Sequence, residues 1–420
     1  MKTRALPWSH TQQKFLGGFC SLSVLTLTLT LPAQDWVRSS APSQFWSGIA
    51  CSADGSKIVA ASRFTSGSGF NPGAIYRSTN SGRDWQITSA PIQYWGSAVS
   101  SADGVKLAVV GADNPGYPPG AGIYLSTNSG VTWARSSAPA NTWGPLTSST
   151  DGSKLAAAVW AGPIYLSADS GATWTPSPAP SLYWFALAAS ADGQKLAASG
   201  GEYVNPNQRQ IFISADFGKT WTAVSNSPTT IIALTTSADG SQWLGTAGPN
   251  GIYISADSGH NWDLTSAPGQ DWLAIASAAD GSRITTVGMT YVESGYAPGP
   301  IYTSSTYGKE WAQSGTVTGY FNNVCCSRDG TKWVAAEGGF AEGFIYTFQI
   351  PPTLSIQAFG SDILLSWPAS ATGFTLQQNS SLRSPGSWLP TTNSVQLVGE
   401  TFQVIIPRSA GNNFYRLISQ

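Results

Sequence analysis

Two histidines among 420 residues leave little room for imidazole chemistry. His10 lies in an apolar N-terminal segment and His260 in a repeated turn, so histidine-based catalysis and histidine metal ligation are excluded. Charge is also scarce: Asp, Glu, Lys and Arg make up 10% of the chain, with 21 basic side chains against 22 acidic ones. A chain this close to neutral lacks the basic surface that displaces counterions from phosphate, which argues against a nucleic-acid partner. Beyond Leu31 no apolar run reaches the roughly 20 residues of a membrane helix, so no span is expected there. No metal-ligating cluster or cofactor motif stands in the chain, and neither a metal nor a cofactor is expected.

The N-terminus carries Lys2, Arg4 and Lys14, then "FLGGFCSLSVLTLTLTL" from Phe15 to Leu31, then "PAQ". This is the pattern of a signal peptide, residues 1–33, cut near Ala33. The run is short for a transmembrane anchor and ends at Pro32, and Cys20 sits inside it, not after it as a lipoprotein cysteine would. A secreted, periplasmic or cell-surface protein is expected.

Glycine and tryptophan are abundant, 45 and 18 residues, and they recur in two alternating phrases. One is "SADGSK" at Ser52, with variants at Ser101, Ser149, Ser190, Ser237, Ala278 and Ser327. The other is "IYISADSGHNW" at Ile252, with variants at Ile75, Ile123, Ile164, Ile211 and Ile301. The turn aspartates Asp54, Asp103, Asp151, Asp192, Asp239, Asp280 and Asp329 are spaced by 49, 48, 41, 47, 41 and 49 residues. Short strands with Gly-marked turns at this period indicate an all-β fold, a β-propeller with four strands per blade, and seven turns predict seven blades. In the first unit "WSGIACS", "KIVAAS", "AIYRST" and "WQITSAP" read as the four strands, innermost first. The seventh unit stops at "FIYTFQI" without an outer strand. "DWVRSSAP" from Asp35 matches "DWQITSAP" from Asp84 and is predicted to supply it, closing the ring.

The second phrase resembles the Asp-box, S/T-x-D/N-x-G-x-T/N-W, and residues 34–350 resemble the sialidase-like (BNR) propellers, including the Ycf48-like photosystem II assembly factors. The resemblance implies a fold and not an activity, since one propeller hosts many functions. The box residues themselves explain a structural role. Asn80, Asn128, Asp169, Asp216 and Asp257 can accept backbone N–H groups of their own turn, and the following glycine supplies positive φ. Equivalent copies around a ring cannot converge on one substrate. The resemblance also implies that these turns lie opposite the binding face. That turn end, called the bottom, holds the propeller lysines, Lys57, Lys106, Lys154, Lys195, Lys219, Lys309 and Lys332. The top loops carry Asp113, Glu202, Glu293, Glu337 and Glu342, with Asp271 at a crossing, against Arg63 and Arg209, so the top is expected to be mildly acidic.

Eight residues before each turn aspartate stand Trp46, Trp95, Trp143, Trp184, Ile231, Trp272 and Phe321. Two readings of this column stand open. The rings plug the gaps between blades, or they ring the upper channel mouth as a platform for a glycan or a protein ligand, with Arg63, Arg209 and Glu202 nearby. Sialidases of the family use three arginines, a Tyr/Glu pair and an Asp. Only Arg63 and Arg209 lie near the top here and the R-I-P segment is missing, so sialidase activity is disfavoured. A different glycoside hydrolase would need two carboxyl groups, for which Glu293 and Glu337 are the best pair. A non-catalytic recognition or scaffold role is the leading expectation.

Cys51 and Cys326 share one strand position in the first and seventh units, and either a disulfide or two small buried thiols fits them. After "PPTL" the composition changes, and residues 351–420 alternate like the strands of a small sandwich, resembling Ig- or fibronectin-like tail modules.

Overall fold

The computed structural model describes residues 35–65, 71–111, 122–205, 208–293, 295–338, 342–369, 374–381, 388–399, 401–408 and 413–419. The expected signal segment and Asp113 lie outside them. Among the described residues there is no α-helix, and seven consecutive four-stranded antiparallel sheets follow one another between residues 37 and 349. The first is built from Gln44–Cys51, Ile58–Thr65, Ile75–Ser78 and Gln86–Ile87. Second strands such as Leu107–Gly111 and Leu155–Val159 are buried along their whole length. Both their faces meet a neighbouring sheet, which explains why they read "LAVVG" and "LAAAV" and do not alternate with polar residues.

The innermost strands meet in order, and the innermost strand of the last sheet, Phe321–Cys326, meets that of the first. A circle of backbone hydrogen bonds joins the first turns of each unit: Ala53 N–H to Ala102 O, and onward through Thr150, Ala191, Ala238, Ala279 and Arg328, whose N–H returns to Ala53 O, at 2.6–2.8 Å. The last sheet runs inward as Val37–Arg38, Ile345–Gln349, Lys332–Glu337 and Phe321–Cys326. Val37 stands opposite Thr347 and Arg38 opposite Tyr346, so the expected closing strand is in place. Its neighbour Trp36 is buried, stacked on Phe348 with ring centres 5.4 Å apart, and its Nε1 donates to Ser314 Oγ at 3.1 Å. Cys51, Cys325 and Cys326 are free thiols, and Cys51 Sγ donates to the backbone carbonyl of Cys326 at 2.9 Å.

Two further sheets occupy the C-terminal residues. One holds Ser355–Phe359, Asp362–Pro368, Thr401–Pro407 and Gln396–Val398, and the other Leu389–Pro390, Phe374–Asn379 and Phe414–Ser419. Leu365, Trp367, Val404 and Ile406 from the first bury one cluster with Leu376 and Leu417 from the second.

Candidate ligand-binding face

The two repeated turns lie together at one end of the ring and are built as architecture. In the second turn, Asp257 Oδ1 accepts from Asn261 N–H at 2.9 Å, Ser255 Oγ accepts from Gly259 N–H at 2.9 Å, and Trp262 Nε1 donates to Gly259 O at 2.8 Å. Asn80, Asn128, Asp169 and Asp216 accept the equivalent N–H, each at 2.9 Å. Positive φ falls on two successive residues, Ser258 at 62° and Gly259 at 92°, so the glycine carries only half of the left-handed backbone. The lysines of the first turns reach across to the next unit. Lys57 Nζ donates to Asp103 O at 2.8 Å, Lys154 Nζ to Asp192 O at 2.7 Å, and Lys195 Nζ to Gly240 O at 3.3 Å.

These bonds predict an acid response. The Ser149 hydroxyl, then Ser153, hold Asp151 at about 2. The Ser237 hydroxyl, then Ser241, do the same for Asp239. Thr173 holds Asp169, Thr220 holds Asp216 and Asn261 holds Asp257, each again at about 2. A carboxyl depressed in the folded state contributes stability that is fully present above the unfolded value of about 3.9 and is lost as pH falls through the folded value. The melting temperature is therefore expected to hold near pH 5 and to fall between about pH 4 and pH 2. An equal Tm at pH 5 and pH 2.5 would contradict this account of the turns.

The aromatic column is buried. Trp46, Trp95, Trp184, Trp272 and Phe321 are 0% exposed and Trp143 is 3% exposed, as is Ile231 at 0%. The cause is a register shift just after the column, in which an extra residue enters the innermost strand: Trp184 pairs with Gly200 but Ala186 with Ser199, and Trp272 with Gly288 but Ala274 with Val287. Shifts follow Trp46, Trp95, Trp143 and Phe321 too. Trp184 and Leu187, three residues apart, consequently enter one cluster with Ile164 and Leu166 of the preceding sheet, which plain alternation forbids. Of the two readings of the column, this burial favours the plugs: a fully covered ring has no face on which a sugar or peptide could stack.

The residue after the column faces the central channel, which encloses about 1060 Å³. Ser47, Gly96 and Gly144 line one arc of it, and Phe185, Ile232, Leu273 and Asn322 the other. Beside Phe185 stands an aromatic group in which Trp160 and Tyr203, both outside the repeat columns, join Tyr183 and Phe185. Trp160, 38% exposed, meets Tyr183, Phe185 and Tyr203 edge-on with ring centres 5.7–5.8 Å apart, and Tyr203 is 55% exposed. The Arg209 guanidinium lies 3.7 Å from the centre of the Phe185 ring, with Nη2 donating to Tyr203 O at 3.3 Å. Arg63, exposed, lines the channel mouth across from them. Neither Trp160 nor Tyr203 was singled out from the sequence; the signal was present as a tryptophan and a tyrosine lying off every repeat column.

The acidic candidates are largely committed elsewhere. Glu202 lies within reach of the Gln208 side-chain amide, at 3.0 and 3.1 Å. Glu337 Oε2 accepts from Phe344 N–H at 3.0 Å; burial pushes its carboxyl up, and the Phe344 and Tyr320 N–H groups oppose the rise. Glu293 is exposed between Ile284–Val292 and Gly295–Ser304 of the sixth sheet. A glycosidase pair needs two carboxyl groups free to face one bond, and Glu337 is turned into its own loop. Asp271 is raised by burial, against a hydrogen bond from Tyr296.

No family model and no curated protein matches the chain. Among solved structures it is similar to YCF48 from Cyanidioschyzon merolae, with 14% identity and a TM-score of 0.54, covering 75% of this chain and 98% of that one. The fold is a β-propeller. A second similar structure, described as YCF48 bound to D1 peptide, has 13% identity and a TM-score of 0.54, over 77% of this chain and 98% of that one. The propeller of this chain therefore has a turn end tied by lysines and a loop end with an open channel and exposed aromatic rings.

Proposed function

We propose that residues 34–350 are a seven-bladed Asp-box propeller and residues 351–420 an Ig- or fibronectin-like sandwich. In this reading the chain is exported after loss of residues 1–33 and acts as a non-catalytic recognition or scaffold protein. Its ligand is an extended peptide segment of a protein partner, laid across the top-face channel mouth between Arg63 and the Trp160–Tyr203 group. The observation that carries this is the pre-packed aromatic group with Arg209 beside a wide channel. Large rings held rigid by one another lose little entropy on binding and are the side chains that dominate protein interfaces. A peptide-bound neighbour of the same fold, YCF48 with D1 peptide, supports a peptide over other ligands.

Trp160→Ala and Tyr203→Ala are each expected to weaken binding of a peptide selected from an immobilised library by about 1–3 kcal/mol, roughly 5- to 150-fold in Kd. The melting temperature should stay near the parental value, because both rings are exposed. Unchanged affinity in both variants would move the site off this face. Binding to a glycan array through the same two residues would replace the peptide with a carbohydrate.

A further inference from the structure

The innermost strands show a repeated contact at their ends. In three sheets the last residue leans toward the preceding one: Ser277 Oγ donates to Thr236 O and Cys326 Sγ to Ser277 O, both at 3.2 Å, and Cys51 Sγ donates to Cys326 O, whereas the side chains of Ser100, Ser148 and Thr236 bond within their own sheets. The residue before the last leans the other way, toward the following sheet. Between the fifth and sixth sheets the two side chains meet, with Thr235 Oγ1 and Ser277 Oγ 3.2 Å apart. At the junction of the last sheet with the first, the same two positions are Cys325 and Cys51. Both pack against one cluster, formed by Ile58 and Ala60 of the first sheet and Val334 and Ala336 of the last. Cys326 instead packs with the cluster shared with the sixth sheet.

We propose that Cys51 and Cys325 are the partners of a reversible disulfide that joins the first sheet to the last, and that Cys326 takes no part in it. Cys51 and Cys326 border the lower opening of the channel, whereas Cys325 does not. Burial and then the neighbouring Cys51 push the Cys325 thiol well up, so Cys51 is the entry thiol. Its thiolate attacks a small aliphatic disulfide, the attacked S–S bond breaks, and one small thiol leaves, having taken up a proton. Cys325 then loses its proton to solvent and its sulfur attacks Cys51 Sγ, forming the protein disulfide and releasing the second small thiol. Two protein thiols are oxidised by two electrons and one small disulfide is reduced to two thiols. The bond would add a covalent tie to contacts that already join the first and last units, the pairing of Gln44 with Gly343 and the bond from Trp46 Nε1 to Gly343 O at 3.2 Å.

The test treats the full chain with oxidised glutathione, then reads the loss of two hydrogens by intact mass and the melting temperature with and without a reductant. Wild type and Cys326→Ser are expected to gain the link and a Tm rise on the order of 5–10 °C. Cys51→Ser and Cys325→Ser are expected to gain neither, while melting like reduced wild type. A link that survives in Cys325→Ser and disappears in Cys326→Ser would overturn the assignment. So would wild-type protein that keeps its thiols and its Tm under oxidant.

Discussion

Removal of residues 35–42 is expected to lower the free energy of unfolding by more than about 5 kcal/mol. Replacing a buried tryptophan by alanine alone costs about 3–5 kcal/mol, and Trp36 is packed with Val287, Phe321 and Trp333. The deletion also takes away the pairing of Val37 and Arg38, the bond from Ser39 N–H to Ile345 O at 2.8 Å, and the acceptors that Asp35 offers to Thr316. The strand Ile345–Gln349 would be left as an exposed edge, open to pairing with another molecule. Urea unfolding with light scattering reads both effects. A midpoint equal to that of the parent, in protein that stays monomeric, would mean that the N-terminal strand is ornamental.

Trp272→Ala is expected to cost about 3–5 kcal/mol. The ring is sealed by Leu244, Ile252, Ile275 and Ile284, meets Tyr302 edge-on at 5.5 Å, and donates from Nε1 to Pro268 O at 3.2 Å. Affinity per folded molecule should not change, in contrast to Trp160→Ala. The pair of variants separates plug from platform: a loss of affinity without a loss of stability at Trp272 would restore the column to the ligand site.

The strands, the turns and the closing segment were readable from sequence because each is periodic. "DWVRSSAP" could be matched to its counterpart only because every other unit supplied a copy, and Asp257 could be given a turn role because Ser255, Gly259 and Trp262 recur with it. The column of Trp46, Trp95 and Trp272 illustrates the limit. Its recurrence is plain in the sequence, but which way it faces turns on one extra residue in the strand, and small residues such as Gly96 and Ser97 fit either parity. The rings that do face outward, Trp160 and Tyr203, sit in connections that do not repeat, where no counterpart in another unit marks them. The sequence places Glu337 in a top loop, but it ends the strand Lys332–Glu337 opposite Phe321, and its bond to Phe344 N–H leaves no mark in the sequence.

The pairing of Val37 with Thr347 has a consequence for biosynthesis. The partners are 347 − 37 = 310 residues apart, so at about 5–20 residues per second the ribosome needs roughly 15–60 s to make the second after the first. During that interval the early strand has no partner of its own, and sheets one to six can assemble in order while it waits. Docking of the final sheet then depends on whether the waiting strand is still free, which makes its capture by a neighbouring nascent chain the failure to which this molecule is most open.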